Sequence, residues 1–334
     1  MLRFHQTKTK FILIIMLSRR LLRIKVLQAL YAHFVSENDR IDNGERQLFV
    51  SIEKLFDLFI YQFSLLEEIV DFAHLRMEEA KTKFLPTPEE LNPNTRFTDN
   101  RFIAQLTKNR DYRRQIDLLK INWSEEDDLI RKLNNQIRES EDYAIFLKQE
   151  DSYEADKDIL IKVFHNIICQ SEVLKSIYEE KCIYWSDDFD TVTLLVQKTI
   201  KEIPEAWDEF ELLPRVLGSD SDNDKNEDRK FVKALYRKTI INSTEYDQII
   251  ARKADNWDFE RIALMDIILL KMAIAELLEF PSIPVKVTLN EYIELSKNYS
   301  TPKSKVFING ILDNLISEFK TSKRIKKTGR GLME

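Results

Sequence analysis

Residues 303–315 read KSKVFINGILDNL, an amphipathic helix with a glycine inside it. At 100° per residue, Ile308, Ile311, Leu312, Leu315, Ile316 and Phe319 recur at the i, i+3, i+4, i+7, i+8, i+11 spacing of one buried stripe. Lys303, Phe307, Gly310 and Asn314 fall on another face, which presents a cation, a ring, bare backbone and an amide at successive turns. A glycine in a helix interior costs about 1 kcal/mol relative to alanine, so Gly310 needs a reason beyond helix propensity. Two are open. A lysine beside a ring suits phosphate pairing and base stacking, and the missing side chain lets a partner approach the backbone. Alternatively, Phe307 packs under the preceding loop and Gly310 admits another helix.

Composition extends the helical reading to the whole chain. With 5 glycines and 8 prolines in 334 residues and 43% hydrophobic content, the chain is all-α, with enough apolar residues for one large core or two ordinary ones. Cys169 and Cys182 match no metal-ligand spacing and make no disulfide framework, so they read as buried thiols in a reducing, cytoplasmic compartment. The four histidines form no HExxH-like cluster, and neither a metal nor a cofactor is expected.

Charge is unevenly distributed. The net charge is −6, yet residues 1–36 carry seven basic side chains and no acid, and residues 320–330 carry six more basic ones. The span between holds 38 basic residues against 56 acidic ones. A basic patch on an otherwise repelling surface suits a localised phosphate site. The plain alternative is a pair of solvated ends, and the C-terminal KTSKRIKKTGR reads as such a basic tail over 320–334. The apolar run FILIIML is only seven residues long and lacks a cleavage pattern, so it is neither anchor nor signal and no membrane partner is expected. Residues 1–15 read as an upstream extension or an over-called start.

Helical periodicity covers 17–35, 48–83, 100–120, 124–149, 153–182, 188–203, 227–253, 257–279, 285–298 and 303–320, roughly ten helices. The segments SENDRIDNGE, FLPTPEELNPNTRFTDN and LPRVLGSDSDNDKNED break them, and the last marks the best boundary. A shift of 72 residues aligns 159–185 with 231–257 through Ile168/Ile240, Ser171/Ser243, Ile177/Ile249, Lys181/Lys253 and Trp185/Trp257. Duplication and shared amphipathic patterning both account for this.

A second constellation opens the first helix, SRRLLRIKVLQALYAHF, with Ser18 as N-cap. Arg19, Arg20 and Arg23 lie within about 100° of one another. Arginines at a helix start oppose the helix dipole, and their planar forks suit phosphate oxygens. Beyond Arg23 the helix is apolar nearly all round, as a buried central element would be.

The stretch ILLKMAIAELLEFPSIPVKVTLNEYIELSKNYSTPKSKVFINGILDNL (268–315) resembles the C-terminal half of the NusB family of transcription antitermination factors. The matching residues include Leu270, Ala273, Glu276, Leu277, Ile283, Pro284, Val285, Asn290, Glu291, Glu294, Leu295, Lys297, Ser304, Phe307, Asn309, Gly310 and Asp313, and RRLLRIKVLQALY resembles the family's first helix. Lys271 stands for the usual arginine and Tyr292 for the usual alanine. The resemblance covers about a third of the chain. It implies a NusB-like helical bundle made of the first helix (16–35) and a C-terminal core (228–319), with additional helical material over 36–227 inserted between them. It also implies a non-enzymatic factor that binds boxA-like RNA with ribosomal protein NusE within the RNA polymerase antitermination complex. Carried over by position, Arg19, Arg20, Arg23, Tyr31 and Phe307 would contact RNA, beside the Lys303 already suspected, while Glu260 and Ser304 would face the protein partner. Two rivals remain. An RNA-modifying enzyme would need a glycine-rich cofactor loop and a strand-rich domain, neither of which the sequence supplies. A helical scaffold without RNA binding would tolerate loss of the three arginines.

Overall fold

The computed structural model describes residues 19–36, 40–215, 217, 226–254 and 262–332, so the expectations for residues 1–15, Ser18, Trp257 and Glu260 lie outside it. Every regular element among the described residues is a helix, without a strand, and these residues divide into two compact units. One is continuous in sequence and begins at Glu53; the other is split, taking residues up to Ile52 and those from Leu217 onward. The inserted unit is therefore a folded helical body of its own, interrupting the sequence of the split one.

In chain order the helices are α1 (Arg19–Val35), α2 (Ile41–Lys81), α3 (Pro88–Leu91), α4 (Arg101–Lys108), α5 (Arg110–Leu119), α6 (Asp127–Glu139), α7 (Glu141–Lys148), α8 (Tyr153–Asn166), α9 (Glu172–Lys181), α10 (Phe189–Glu202), α11 (Glu227–Ile241), α12 (Ser243–Lys253), α13 (Leu264–Glu279), α14 (Val285–Tyr299) and α15 (Ser304–Thr321). Four stretches expected as single helices are each broken in two. At three of the breaks a short polar side chain caps the new helix, satisfying an amide that would otherwise lack a partner. Asn109 accepts from the amide of Tyr112 at 2.8 Å, Ser140 from Tyr143 at 3.2 Å and Ser171 from Leu174 at 3.3 Å. The fourth break falls at Asn242. The two segments aligned by the 72-residue shift both fold as a helix, a break and a second helix, although Ser243 accepts from Lys271 instead of capping.

The inserted unit centres on aromatic packing. Tyr61, Trp123, Tyr178 and Trp185 meet edge to face, and both indoles are satisfied: Trp123 donates to Ser64 Oγ at 3.0 Å and Trp185 to the Lys54 carbonyl at 2.8 Å.

The split unit is built round α13, LMDIILLKMAIAELLE, which packs on α1, α11, α12, α14 and α15. A helix apolar on nearly every side belongs at the centre of a bundle. Its three buried charges are all partnered, as burial requires. Asp266 accepts from Ser300 at 2.6 Å and Ser304 at 2.7 Å; Lys271 reaches Ser243 Oγ at 2.7 Å and Asp247 at 2.9 Å; Glu276 binds Arg23. On α2, Gly44 is there for a close approach, since a Cβ at that position would lie 1.9 Å from the Tyr236 hydroxyl.

The C-terminal basic segment is not a solvated tail over its described length. After α15 the chain turns at Lys323, whose φ is 54°, and lies back on the α13–α14 turn. Arg324 pairs with Glu245 at 2.6 Å, Lys327 donates to the Phe280 carbonyl at 3.0 Å and the Thr328 amide to the Pro281 carbonyl at 3.0 Å.

Candidate nucleic-acid interface

Two of the three arginines at the start of α1 stay at the surface. Arg19 is 37% exposed, lies over the Phe231 ring at 5.1 Å, and has Glu227 and Asp228 carboxylate oxygens at 3.6 and 3.5 Å. Arg20 is 48% exposed and makes a two-pronged contact with Glu291, Nε to Oε2 at 2.9 Å and Nη2 to Oε1 at 2.8 Å. Its hydrogen bond to Glu291 raises the Arg20 pKa, against the opposing effect of partial burial.

Arg23 is the correction. Expected to face a partner beside Arg19 and Arg20, it is 2% exposed, and its fork closes on Glu276 with two bonds of 2.7 Å. Glu276, with an exposure of 0%, also accepts from Thr288 at 2.8 Å and from Tyr292 at 3.2 Å. Burial disfavours the Arg23 charge, yet the hydrogen bond and field of Glu276 raise its pKa above the ordinary arginine value. Burial likewise pushes the Tyr292 phenol well up, so it remains a donor. Tyr292, the departure from the resembled pattern, thus supplies one of four hydrogen bonds to this carboxylate. A guanidinium so enclosed fixes α1 against α13 and α14, with its Nη1 also 3.7 Å from Glu291.

Above this clamp lies a concavity of about 540 Å³. Arg19, Arg20 and Arg330 line it with the Glu276-bound Arg23 and the Glu291 carboxylate, and Ile283, Pro284 and Val287 form its apolar wall. Exposed ion pairs contribute only about 0–1 kcal/mol, so Glu227 and Asp228 hold Arg19 loosely, whereas Arg20 is held by a two-pronged contact to a Glu291 that is 17% exposed. Tyr31, 42% exposed, is eleven residues after Arg20. Eleven residues return the helix to the same face about 16 Å further on, so a cation and an aromatic ring share one stripe of α1.

The face of α15 forms a separate concavity of about 520 Å³, lined by Lys253, Lys303, Val306, Phe307, Gly310 and Asn314 among others. Its two residues in question resolve differently. Phe307 is only 9% exposed, so its ring is largely packed away and offers little stacking surface. Gly310 is open: a Cβ there would meet nothing within 4 Å, so no helix packs against it among the described residues. Asn314 donates back to the Gly310 carbonyl at 3.0 Å.

Ser304, expected at a partner surface, is 1% exposed. Its hydroxyl serves Asp266 and the Thr301 amide and shares hydrogen bonds with Ser300 and Thr301, holding the α14–α15 turn instead of presenting itself. Lys303, next to it, is exposed. Sequence reasoning missed the Glu276 clamp, whose partner lies 253 residues away, and Arg330, hidden in a basic run. The available signal for Arg330 was Gly329 and Gly331, two of only 5 glycines, on either side of it. No group of three or more potential metal ligands occurs among the described residues, and no helix among them is long and apolar enough to cross a membrane.

The model of the NusB family matches residues 190–317. Transcription antitermination protein NusB of Salinibacter ruber is 46% identical over 105 residues, which are 31% of this chain and 66% of that protein. The protein of the same name from Chloroherpeton thalassium is 42% identical over 106 residues, 32% of this chain and 50% of that one. The chain therefore spans half to two thirds of the curated relatives it matches. A solved structure of T. maritima NusB aligns with 45% of this chain and 88% of that one at 23% identity, with a TM-score of 0.28.

Proposed function

This is a NusB-family protein with the family's domain at residues 190–317, and from that premise we propose that it is a transcription antitermination factor acting by binding, not catalysis. It takes single-stranded boxA-like RNA of the nascent ribosomal transcript together with ribosomal protein NusE, as part of the RNA polymerase antitermination complex. The observation that carries this reading is the groove at the start of α1, where Arg19 and Arg20 stand at the mouth beside an apolar wall. Guanidinium forks supply phosphate pairing, and Tyr31 on the Arg20 stripe supplies a ring for a base. The α15 face adds Lys303 as a further cation and the bare backbone of Gly310 as a point of close approach. Arg23 supports the interface from beneath by holding α1 in place.

Fluorescence anisotropy of a labelled boxA-like RNA, with and without NusE, tests this. The wild type should bind, more tightly with NusE, with an affinity that falls as salt rises; Arg19→Ala/Arg20→Ala should lose most of it. A scaffold reading draws on the carboxylates that Arg19 and Arg20 already face. Undiminished association with NusE, in wild type and variant alike, without any RNA binding would favour it.

A further inference from the structure

The arginine groove has one wall that comes from the far end of the chain. Residues 323–332 return along the α13–α14 turn as a strap and place Arg330 in the same concavity as Arg19 and Arg20. We propose that this strap completes the RNA groove and that Arg330 is its third phosphate-pairing cation. The inference rests on the reading of α1 as an RNA-binding surface and adds to it a residue that neither periodicity nor family pattern indicates.

Three observations carry it. First, the strap is seated, not draped. Lys327 and the Thr328 amide hold the carbonyls of Phe280 and Pro281, and Arg324 is tied to Glu245 while lying 5.0 Å over the Phe319 ring. Second, the glycines on either side of Arg330 are needed by this seat. Gly329 adopts φ 53°, a left-handed conformation that side chains disfavour, and at Gly331 a Cβ would lie 1.9 Å from the Pro281 carbonyl oxygen. Any other residue at 331 would lift the strap away. Third, Arg330 is exposed and makes no hydrogen bond, ion pair or ring contact among the described residues, whereas Arg19 and Arg20 share their charge with acids. A phosphate entering the groove need displace no carboxylate at Arg330. The neighbouring wall of Ile283, Pro284 and Val287 gives the adjoining ribose or base an apolar surface.

The test measures affinity for the labelled boxA-like RNA against salt, with NusE present, for wild type, Arg330→Gln, Gly331→Val and Arg19→Gln/Arg20→Gln. Loss of one phosphate contact should reduce the slope of log K against log salt by about 0.7 and weaken binding roughly tenfold at low salt. Gly331→Val should weaken binding similarly with every charge intact, and circular dichroism should show the helices unchanged in both strap variants. If Arg330→Gln keeps wild-type affinity and slope while Arg19→Gln/Arg20→Gln loses binding, the strap proposal is overturned and the α1 reading stands. If Arg330→Gln weakens binding and the double variant does not, the α1 assignment falls, and with it the role of Arg330 as the third cation of that groove. A wild type that binds no RNA in either condition refutes both.

Discussion

Replacing Arg23 by alanine should damage the fold rather than the interface. The side chain is 2% exposed and supplies two of the four hydrogen bonds that reach Glu276, itself at 0% exposure. Arg23→Ala leaves that carboxylate in the core with only the hydroxyls of Thr288 and Tyr292. Removing one partner of a buried pair costs about 3–5 kcal/mol, a large part of the roughly 5–15 kcal/mol that holds a native protein together. Arg20→Ala breaks an equally well aligned pair with Glu291, but at 48% exposure its loss should cost under about 1 kcal/mol. Urea unfolding followed by circular dichroism separates the two, since the midpoint should fall steeply for Arg23→Ala and barely for Arg20→Ala. In anisotropy the order should reverse: folded Arg23→Ala, held well below its unfolding transition, should bind RNA more nearly as wild type does than Arg19→Ala/Arg20→Ala. An Arg23→Ala midpoint no lower than that of Arg20→Ala, with RNA affinity abolished, would refute the clamp and return Arg23 to the surface cluster.

Gly310→Ala should stabilise α15 by about 1 kcal/mol, because its Cβ enters open space. A simultaneous fall in RNA affinity would show close approach of RNA to the helix backbone, and unchanged affinity would remove α15 from the proposed interface. Gly44→Ala should destabilise the split unit, since its methyl group would overlap the Tyr236 hydroxyl; Tyr236→Phe removes that oxygen and should recover part of the loss in a double-mutant cycle. Strict additivity of the two substitutions would contradict that packing. Alkaline stability gives a fourth outcome. Burial pushes Tyr236 and Tyr246 up to about 12 from an ordinary 10.0, with Glu45 adding to the shift at Tyr236. The unfolded phenols ionise first, so the stability these groups contribute is whole below pH 10.0 and is lost as pH rises through about 12. Thermal melts on either side of pH 10 should show the decline beginning there, and it should shrink in Tyr236→Phe; a melting temperature flat throughout that window would count against the burial of both rings.

Helix identity was legible wherever an apolar stripe ran long enough to override local detail. The α15 stripe from Ile308 to Phe319 and the continuous apolar surface of α13 both lie where periodicity put them. Breaks within polar amphipathic runs were harder to see, because Asn109, Ser140 and Ser171 act through one side-chain bond each and leave the hydrophobic period intact on either side. The site was half legible for a different reason. Helical spacing shows that three arginines share a face but not what opposes that face, and the residue that takes Arg23 out of solution is Glu276, 253 positions away. Phe307 and Gly310 lie three residues apart, yet one is packed and the other open; that difference is set by the tertiary surroundings, which helical spacing does not contain.

The split arrangement of the unit that bears the groove gives the site a place in time. Its first arginines leave the ribosome with α1, the inserted unit follows, and the strap that brings Arg330 to the groove is among the last described residues to emerge. During synthesis α1 therefore precedes its packing partners α11 and α13, which follow the inserted unit and in the folded chain cover Leu22, Val26, Leu27 and Leu30. On the proposed reading, competence for RNA comes late in synthesis, since a product ending before α13 carries the first-helix arginines without the apolar wall and the strap that complete their groove.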